Sequence, residues 1–175
     1  PTEMDLTQAR QKLAEYFRGQ FFNRRQAEEP PWLLLRLENW VELAQLLVNE
    51  LFFTLAWRHF SGDMRALWRE LERNNYLLEA AYTPILNHPG KNPDLAWQVA
   101  ELLVEFGKLN LAQPLLAHLE ERFRFMLDEP RLAAVKQKMA NAYYQKGDPG
   151  EAVRWYEQAA EVGERDRLVD LLELG

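Results

Sequence analysis

Apolar side chains recur at intervals of three and four along nearly the whole chain, which is the spacing of one face of an α-helix. The spacing predicts a first helix over residues 5–19, on Leu6, Ala9, Leu13, Tyr16 and Phe17. Further helices are predicted over residues 31–37, 41–49, 51–60, 64–73 and 76–86. Because no segment alternates apolar and polar positions as a half-buried strand does, the pattern predicts an all-α fold.

Breaks in the helical pattern divide the chain. The segment from His88 to Pro93 holds two prolines and a glycine, which is typical of a linker. We therefore predict an irregular helical region over residues 1–88, a linker over 89–93 and a second helical region over 94–175. A shorter break at Ser61-Gly62-Asp63 predicts the end of one helix and the start of the next.

The second region repeats with a period of 40 residues. Helices predicted over 94–106 and 111–127 flank Gly107, and helices predicted over 131–146 and 149–163 flank Gly147. Repetition at this period is typical of a solenoid of stacked helical hairpins. We assign repeats to about 94–127 and 131–164, with a truncated third repeat from residue 165.

Small residues stand where two helices of one predicted hairpin approach closely. Ala112 and Ala152 each follow their turn glycine by five residues, and Ala100 and Ala140 precede the turns. Three bulky residues are predicted to fill the space between successive hairpins: Leu116, Tyr143 and Tyr156. In a solenoid each hairpin contacts mainly its neighbours, so burial continues down the stack.

Composition narrows the classes of function. The chain has 175 residues, no cysteine and a net charge of −6. It therefore offers no thiolate metal site, and its charge disfavours nucleic acid or an anionic membrane as the main partner. Its apolar runs are too short to span a bilayer. We expect a cytoplasmic protein without a cofactor. The chain begins at Pro1 without a methionine and ends in what reads as an unfinished helix, which indicates a piece of a longer protein.

Residues that could carry chemistry are scattered. None of the three histidines, His59, His88 and His118, has a second metal ligand three or four residues away. The segment Pro89-Gly90-Lys91 lacks the other residues of a phosphate-binding loop. No nucleophile stands beside a base. These observations predict that the chain is not an enzyme.

Two charged patterns have plainer interpretations than catalysis. Glu101 and Glu105 lie one helical turn apart, which could suit a carboxylate pair, but a groove-lining or solvated face fits them better. Arginines recur at positions 65, 69 and 73, with Glu70 and Glu72 between them. This pattern favours a salt-bridged outer face over an anion site.

The second repeat resembles a tetratricopeptide repeat. It has the small, aromatic and turn residues of that family at Ala140, Tyr143, Gly147-Asp148, Ala152, Tyr156 and Ala159. Lys136 stands where the family has its first-helix tryptophan, and Glu164 where it has its closing proline. The first repeat is more degenerate. The resemblance implies a right-handed solenoid of helical hairpins.

The first region looks like the helical connector that follows the nucleotide-binding module of STAND-type signalling ATPases. The resemblance rests on a Tyr-Phe pair, a Pro-Trp-Leu-Leu helix and a second tryptophan helix, at Tyr16, Phe17, Pro31, Trp32, Leu34, Trp40, Leu43 and Leu47. It implies a sensor or arm segment of a larger signalling protein. The chain itself contains no phosphate-binding loop.

In a tetratricopeptide-like stack, the first helix of each hairpin lines the concave groove. The predicted groove residues are Trp97, Gln98, Glu101, Glu105, Gln137, Lys138, Asn141 and Tyr144. An asparagine matching Asn141 often clamps a peptide backbone in that family, and a side-chain amide can both donate to and accept from a peptide. Alternatively, Trp97 is buried by a neighbouring layer and Asn141 is only solvated.

The sequence leaves two functions open. The first is a non-enzymatic module that recognises a protein or peptide. The second is a structural spacer or self-association segment, which exposed Trp32, Trp40 or Phe52 would favour because large apolar patches mark interfaces.

Overall fold

The computed structural model describes residues 24–173, with side chains described over 30–164. The predicted first helix, with Tyr16 and Phe17, lies outside these residues. Within them every regular element is helical and no strand occurs, so the predicted all-α class is confirmed for the described part of the chain. The chain separates into two compact units, Pro1–Tyr82 and Thr83–Gly175.

The first unit contains four described helices: α1 (Arg24–Arg36), α2 (Trp40–Val48), α3 (Glu50–Arg73) and α4 (Leu78–Ala81). The predicted break at residues 61–63 lies next to a kink in α3, where two helical segments meet at Phe60, which has φ −142° and ψ 35°. One non-helical residue bends the helix axis at this point. Pro31, however, does not start a helix, because α1 begins at Arg24 and contains it.

Aromatic side chains dominate the core of the first unit. Phe53 and Trp68 are fully buried, and the ring of each lies 5.5 Å from that of Tyr82. The hydroxyl of Tyr82 donates a hydrogen bond of 3.0 Å to the backbone carbonyl of Leu47. This bond satisfies a buried polar group and joins the end of the unit to α2.

The second unit contains five described helices and a short 3₁₀ turn over Pro89–Lys91. The helices are α5 (Thr83–Asn87), α6 (Pro93–Glu105), α7 (Leu109–Phe125), α8 (Glu129–Lys146) and α9 (Pro149–Glu173). The division between the units follows Tyr82, and the predicted linker packs on α6 and α7. The residues from 165, predicted to begin a third repeat, continue α9 as far as Glu173.

Asparagine and aspartate begin five of the described helices. A side-chain oxygen accepts from a backbone N–H three residues on, at Asn39, Asn49, Asn92, Asp128 and Asp148. Each such bond satisfies a donor that the first helical turn leaves open. Glycine ends helices where the backbone turns left-handed, with φ of 68° at Gly107 and 85° at Gly147.

Helices α6 to α9 pack in sequence order, and α6 also contacts α8. Ala100, Ala112, Ala140 and Ala152 are all buried, as their predicted place at close helix contacts requires. Leu116 is fully buried and Tyr143 stacks on Trp155. Tyr156, however, is 41% exposed, so it does not fill an interlayer space within the described residues.

A buried ion pair joins three of these helices. Lys136 of α8 is 5% exposed, and its ammonium lies 2.8 Å from Glu120 of α7. The same ammonium donates to Gln158 of α9 at 2.8 Å and lies 5.1 Å from the ring centre of Trp155. Arg124 also binds the carboxylate of Glu120. Lys136 is therefore part of the packed interior.

Candidate functional site

The contact between α6 and α8 brings three predicted groove residues together. The ammonium of Lys138 lies 2.9 Å from the carboxylate of Glu101 and 6.0 Å from the ring centre of Trp97. All three side chains are partly exposed. Trp97 is therefore not sealed in the core by the neighbouring helices, and it forms one small surface cluster with an ion pair.

Asn141 lies one turn further along α8 and has a partner within the protein. The hydroxyl of Tyr156 on α9 donates a hydrogen bond to its side-chain oxygen. The amide of Asn141 thus keeps its two N–H donors, while its acceptor is already engaged. The sequence did not point to Tyr156 as a groove residue, because its aromatic type fitted interlayer packing equally well.

Gln137 and Tyr144 lie on the same stripe of α8 as Asn141. Tyr144 is exposed. Gln137 borders a depression of about 410 Å³ between α8 and α9. The lining residues are uncharged: Pro130, Ala133, Ala134, Gln137, Tyr156, Ala159 and Ala160. These contacts divide the predicted groove residues between an α6–α8 cluster and a depression beside α9.

The two remaining predicted residues lie on α6. Glu105 is exposed at the last turn of that helix. Gln98 is partly buried, and its side-chain oxygen is enclosed without a hydrogen-bond partner among the described residues. A buried acceptor without a donor costs free energy.

This surface combines one ion pair with aromatic and amide groups. The charges of Glu101 and Lys138 cancel, so the cluster holds neither a free carboxylate nor the two cations of a carboxylate clamp. The cluster presents the indole of Trp97, and next to it α8 presents the amide donors of Asn141 and the phenol of Tyr144. Aromatic surfaces with a few amide donors suit an extended peptide, whose backbone carbonyls need donors.

Other candidate residues have structural surroundings. Arg73 pairs with Glu70, and the guanidinium of Arg65 lies 5.5 Å from the ring centre of Trp57. Over the described residues, no group of three or more potential metal-ligating side chains converges. None of the described helices has the length and apolarity to cross a membrane.

The residues that would favour self-association in the first unit differ in exposure. Trp32 is 38% exposed, whereas Phe52 is fully buried. Trp32 and Trp40 border a depression of about 460 Å³ that Arg36, Glu38 and Glu70 also line. Of the three aromatic residues whose exposure would favour self-association, Trp32 is therefore exposed, Trp40 is partly covered and Phe52 is buried.

One apolar surface was not predicted from the sequence. Phe125, Met126 and Leu127 follow one another at the turn between α7 and α8, and they are 89%, 54% and 80% exposed. The helical spacing placed these residues at the end of a helix, where nothing in the pattern separates buried from exposed positions.

Comparison with known proteins identifies no relative of this chain: no family model, curated protein or solved structure matches it.

Proposed function

We propose that this chain is a non-catalytic, tetratricopeptide-like module that binds a protein or peptide on the surface formed by α6 and α8. The observation that carries the proposal is the meeting of Trp97, Glu101 and Lys138 across two helices that are not consecutive. In a solenoid of helical hairpins, the first helices of successive hairpins lie side by side in this way.

The exposed groups next to this cluster define the ligand chemistry. The amide donors of Asn141 suit the carbonyl groups of an extended backbone, and Tyr144 offers an exposed ring for an apolar side chain. Rigid aromatic residues contribute much of the binding energy at protein interfaces. A peptide with an extended backbone and at least one apolar side chain fits these groups.

We further propose that the first unit is the helical arm of a larger signalling protein. Its support is the burial of the residues that carry the resemblance to STAND-type connectors, among them Pro31, Leu34, Leu43 and Leu47. A phosphate-binding loop in the coding sequence upstream of this segment would support the proposal. An unrelated upstream domain would contradict it.

The groove proposal is tested with a displayed library of random peptides enriched on the immobilised protein. Enriched peptides are then titrated by fluorescence polarisation against the Lys138→Ala/Asn141→Ala double variant. We expect about a tenfold loss of affinity, since both changes remove groups next to the exposed aromatics.

Asn110→Ala is the matched control, because Asn110 is an exposed asparagine on α7, which is neither of the two helices that form this surface. It should leave the affinity unchanged. Failure to enrich any peptide, or equal binding by the double variant, would refute the proposal.

A further inference from the structure

The turn between α7 and α8 has two energetically unfavourable features, exposed apolar side chains and a left-handed backbone residue. Phe125, Met126 and Leu127 expose apolar side chains to solvent, and Leu127 has a left-handed backbone with φ of 57°. For a residue with a side chain this conformation is strained, and strain persists mainly where function requires it. We call Phe125, Met126 and Leu127 the apolar tip.

Other turns in the protein use different residues at the left-handed position. It is occupied by glycine at Gly107 and Gly147, by asparagine at Asn75 and by glutamate at Glu38. Glycine and asparagine adopt that conformation at little cost, whereas glutamate and leucine do not, and of these two only Leu127 also exposes an apolar side chain. A leucine that is strained and also makes little contact within the protein points to a contact outside it.

The charged residues next to the apolar tip in the sequence balance one another. Three arginines and three acidic residues lie within four positions of it, namely Arg122, Arg124 and Arg131 with Glu121, Asp128 and Glu129. Arg124 pairs with Glu120, and Arg131 pairs with Asp94 at 2.9 Å. Since these charges compensate one another, the tip offers a partner apolar side chains and little net charge.

The same unit contains a recess that matches the apolar tip. The depression of about 410 Å³ between α8 and α9 has seven lining residues, of which five are alanine or proline and none is charged at neutral pH. Its volume lies within the range of pockets that bind bulky groups. Its small side chains leave room for an aromatic ring.

The recess lies next to the apolar tip, which permits a symmetric contact between two molecules. Pro130 lines the recess and follows Leu127 by only three residues, so the apolar tip and the recess adjoin at the start of α8. When the two lie side by side, a two-fold rotation can place the apolar tip of each molecule in the recess of the other at the same time.

We propose that the chain forms a two-fold symmetric dimer in which the apolar tip of each copy inserts into the α8–α9 recess of the other. This proposal does not depend on peptide binding at the α6–α8 cluster. Burying the tip removes exposed apolar surface and gives the strained leucine a packing partner.

Sedimentation velocity over a wide range of concentrations tests the proposal on the full chain. The wild type should convert from monomer to dimer as concentration rises. Phe125→Ser should weaken the dimer about tenfold or more, since buried aromatic anchors carry much of an interface's energy. Leu51→Ser, which changes an exposed leucine of the first unit, is the control and should dimerise as the wild type does.

A complementation experiment tests the reciprocal geometry. Ala160→Arg fills the recess while leaving the tip intact, and it should also weaken the dimer. An equimolar mixture of Phe125→Ser and Ala160→Arg should recover part of the association, because one intact tip then meets one intact recess. Absence of any recovery would overturn the reciprocal arrangement.

The variant Leu127→Gly tests whether the strained leucine serves the dimer contact. It should raise the midpoint of thermal unfolding of the monomer, because glycine relieves the left-handed strain, and it should weaken the dimer.

Two outcomes overturn the proposal: a wild type that stays monomeric at every concentration, and a Phe125→Ser variant that dimerises normally. Flotation with phosphatidylcholine vesicles that Phe125→Ser abolishes would assign the tip to lipid and overturn it too.

Discussion

At the scale of single residues, environment decides what each side chain does. Asn141 was predicted either to clamp a peptide or to be only solvated, and in the structure its acceptor oxygen is engaged by Tyr156. Lys138 was predicted to line the groove, and Glu101 neutralises its charge. Residue type and spacing placed both side chains on helix α8, whereas their partners come from other helices and could not be read from spacing.

Tyr82 shows the same dependence on environment in its acid–base behaviour. Burial raises the pKa of Tyr82 well above its ordinary value of 10.0, while the neighbouring indole of Trp68 acts in the opposite direction. In the unfolded chain the phenol ionises at its ordinary value, whereas in the folded chain it stays neutral. The unfolded state therefore loses its proton first, and stability falls as the pH rises above that value.

We predict that Tyr82→Phe reduces this alkaline loss of stability. Above about pH 10, the wild type should lose up to about 1.4 kcal/mol of unfolding free energy per pH unit through this phenol. The variant lacks that contribution. It should also be less stable at neutral pH by about 1 kcal/mol, because the bond to the carbonyl of Leu47 is gone.

Urea unfolding at several pH values measures the effect. Tyr144→Phe serves as the control, since Tyr144 is an exposed tyrosine and should leave the pH dependence unchanged. An identical alkaline slope for wild type and Tyr82→Phe would contradict the prediction.

At the scale of helices, caps, turns and one ion pair set the packing. The turn glycines marked the ends of α6 and α8 in the sequence, and Ser61-Gly62-Asp63 marked the neighbourhood of the kink in α3, because these signals act through the local backbone. The true start of α1 escaped prediction. Proline marks a possible helix start, but packing on the rest of the unit decides whether the helix already runs through it.

Lys136 lies at the contact of α7, α8 and α9, and we predict that its truncation is costly. Lys136→Met keeps a long apolar side chain but removes one partner from the buried carboxylate of Glu120. We expect a loss of about 2 kcal/mol of unfolding free energy, reduced from the full cost of breaking a buried pair because Arg124 still binds Glu120.

The double variant Lys136→Met/Glu120→Leu should recover most of this stability, because an apolar pair often replaces a buried ion pair without loss. Chemical denaturation of the four proteins of this double-mutant cycle gives the coupling between the residues. Equal losses for the single and double variants would contradict the interpretation of Lys136 as a charge paired with Glu120.

At the scale of the whole molecule, the chain contains two compact units, each with its own apolar core. The sequence indicated two helical regions, because a cluster of proline and glycine interrupts the pattern near residue 90. The division lies earlier, after Tyr82, because the segment over Pro89–Lys91 packs on α6 and α7. Proline and glycine mark a change of direction, while contacts determine to which unit a segment belongs.

We predict that the fragment over residues 83–175 folds without the first unit. Its buried residues on α6 to α8 contact one another, so it should show helical circular dichroism and a cooperative thermal transition. Leu116→Ala in the fragment should lower stability by about 3 kcal/mol, since Leu116 is fully buried. A gradual, non-cooperative transition would contradict the prediction.

The sequence by itself determined the all-helical class, the approximate helices, the turns at Gly107 and Gly147 and the small residues at close helix contacts. These features follow from periodicity and backbone preference, which are local. Only the tertiary structure decided that Lys136 is buried, that Lys138 meets Glu101, and that the side chains of the apolar tip lie in solvent. Each of these depends on which side chains from distant positions arrive at the same place, and helical spacing alone does not contain that information.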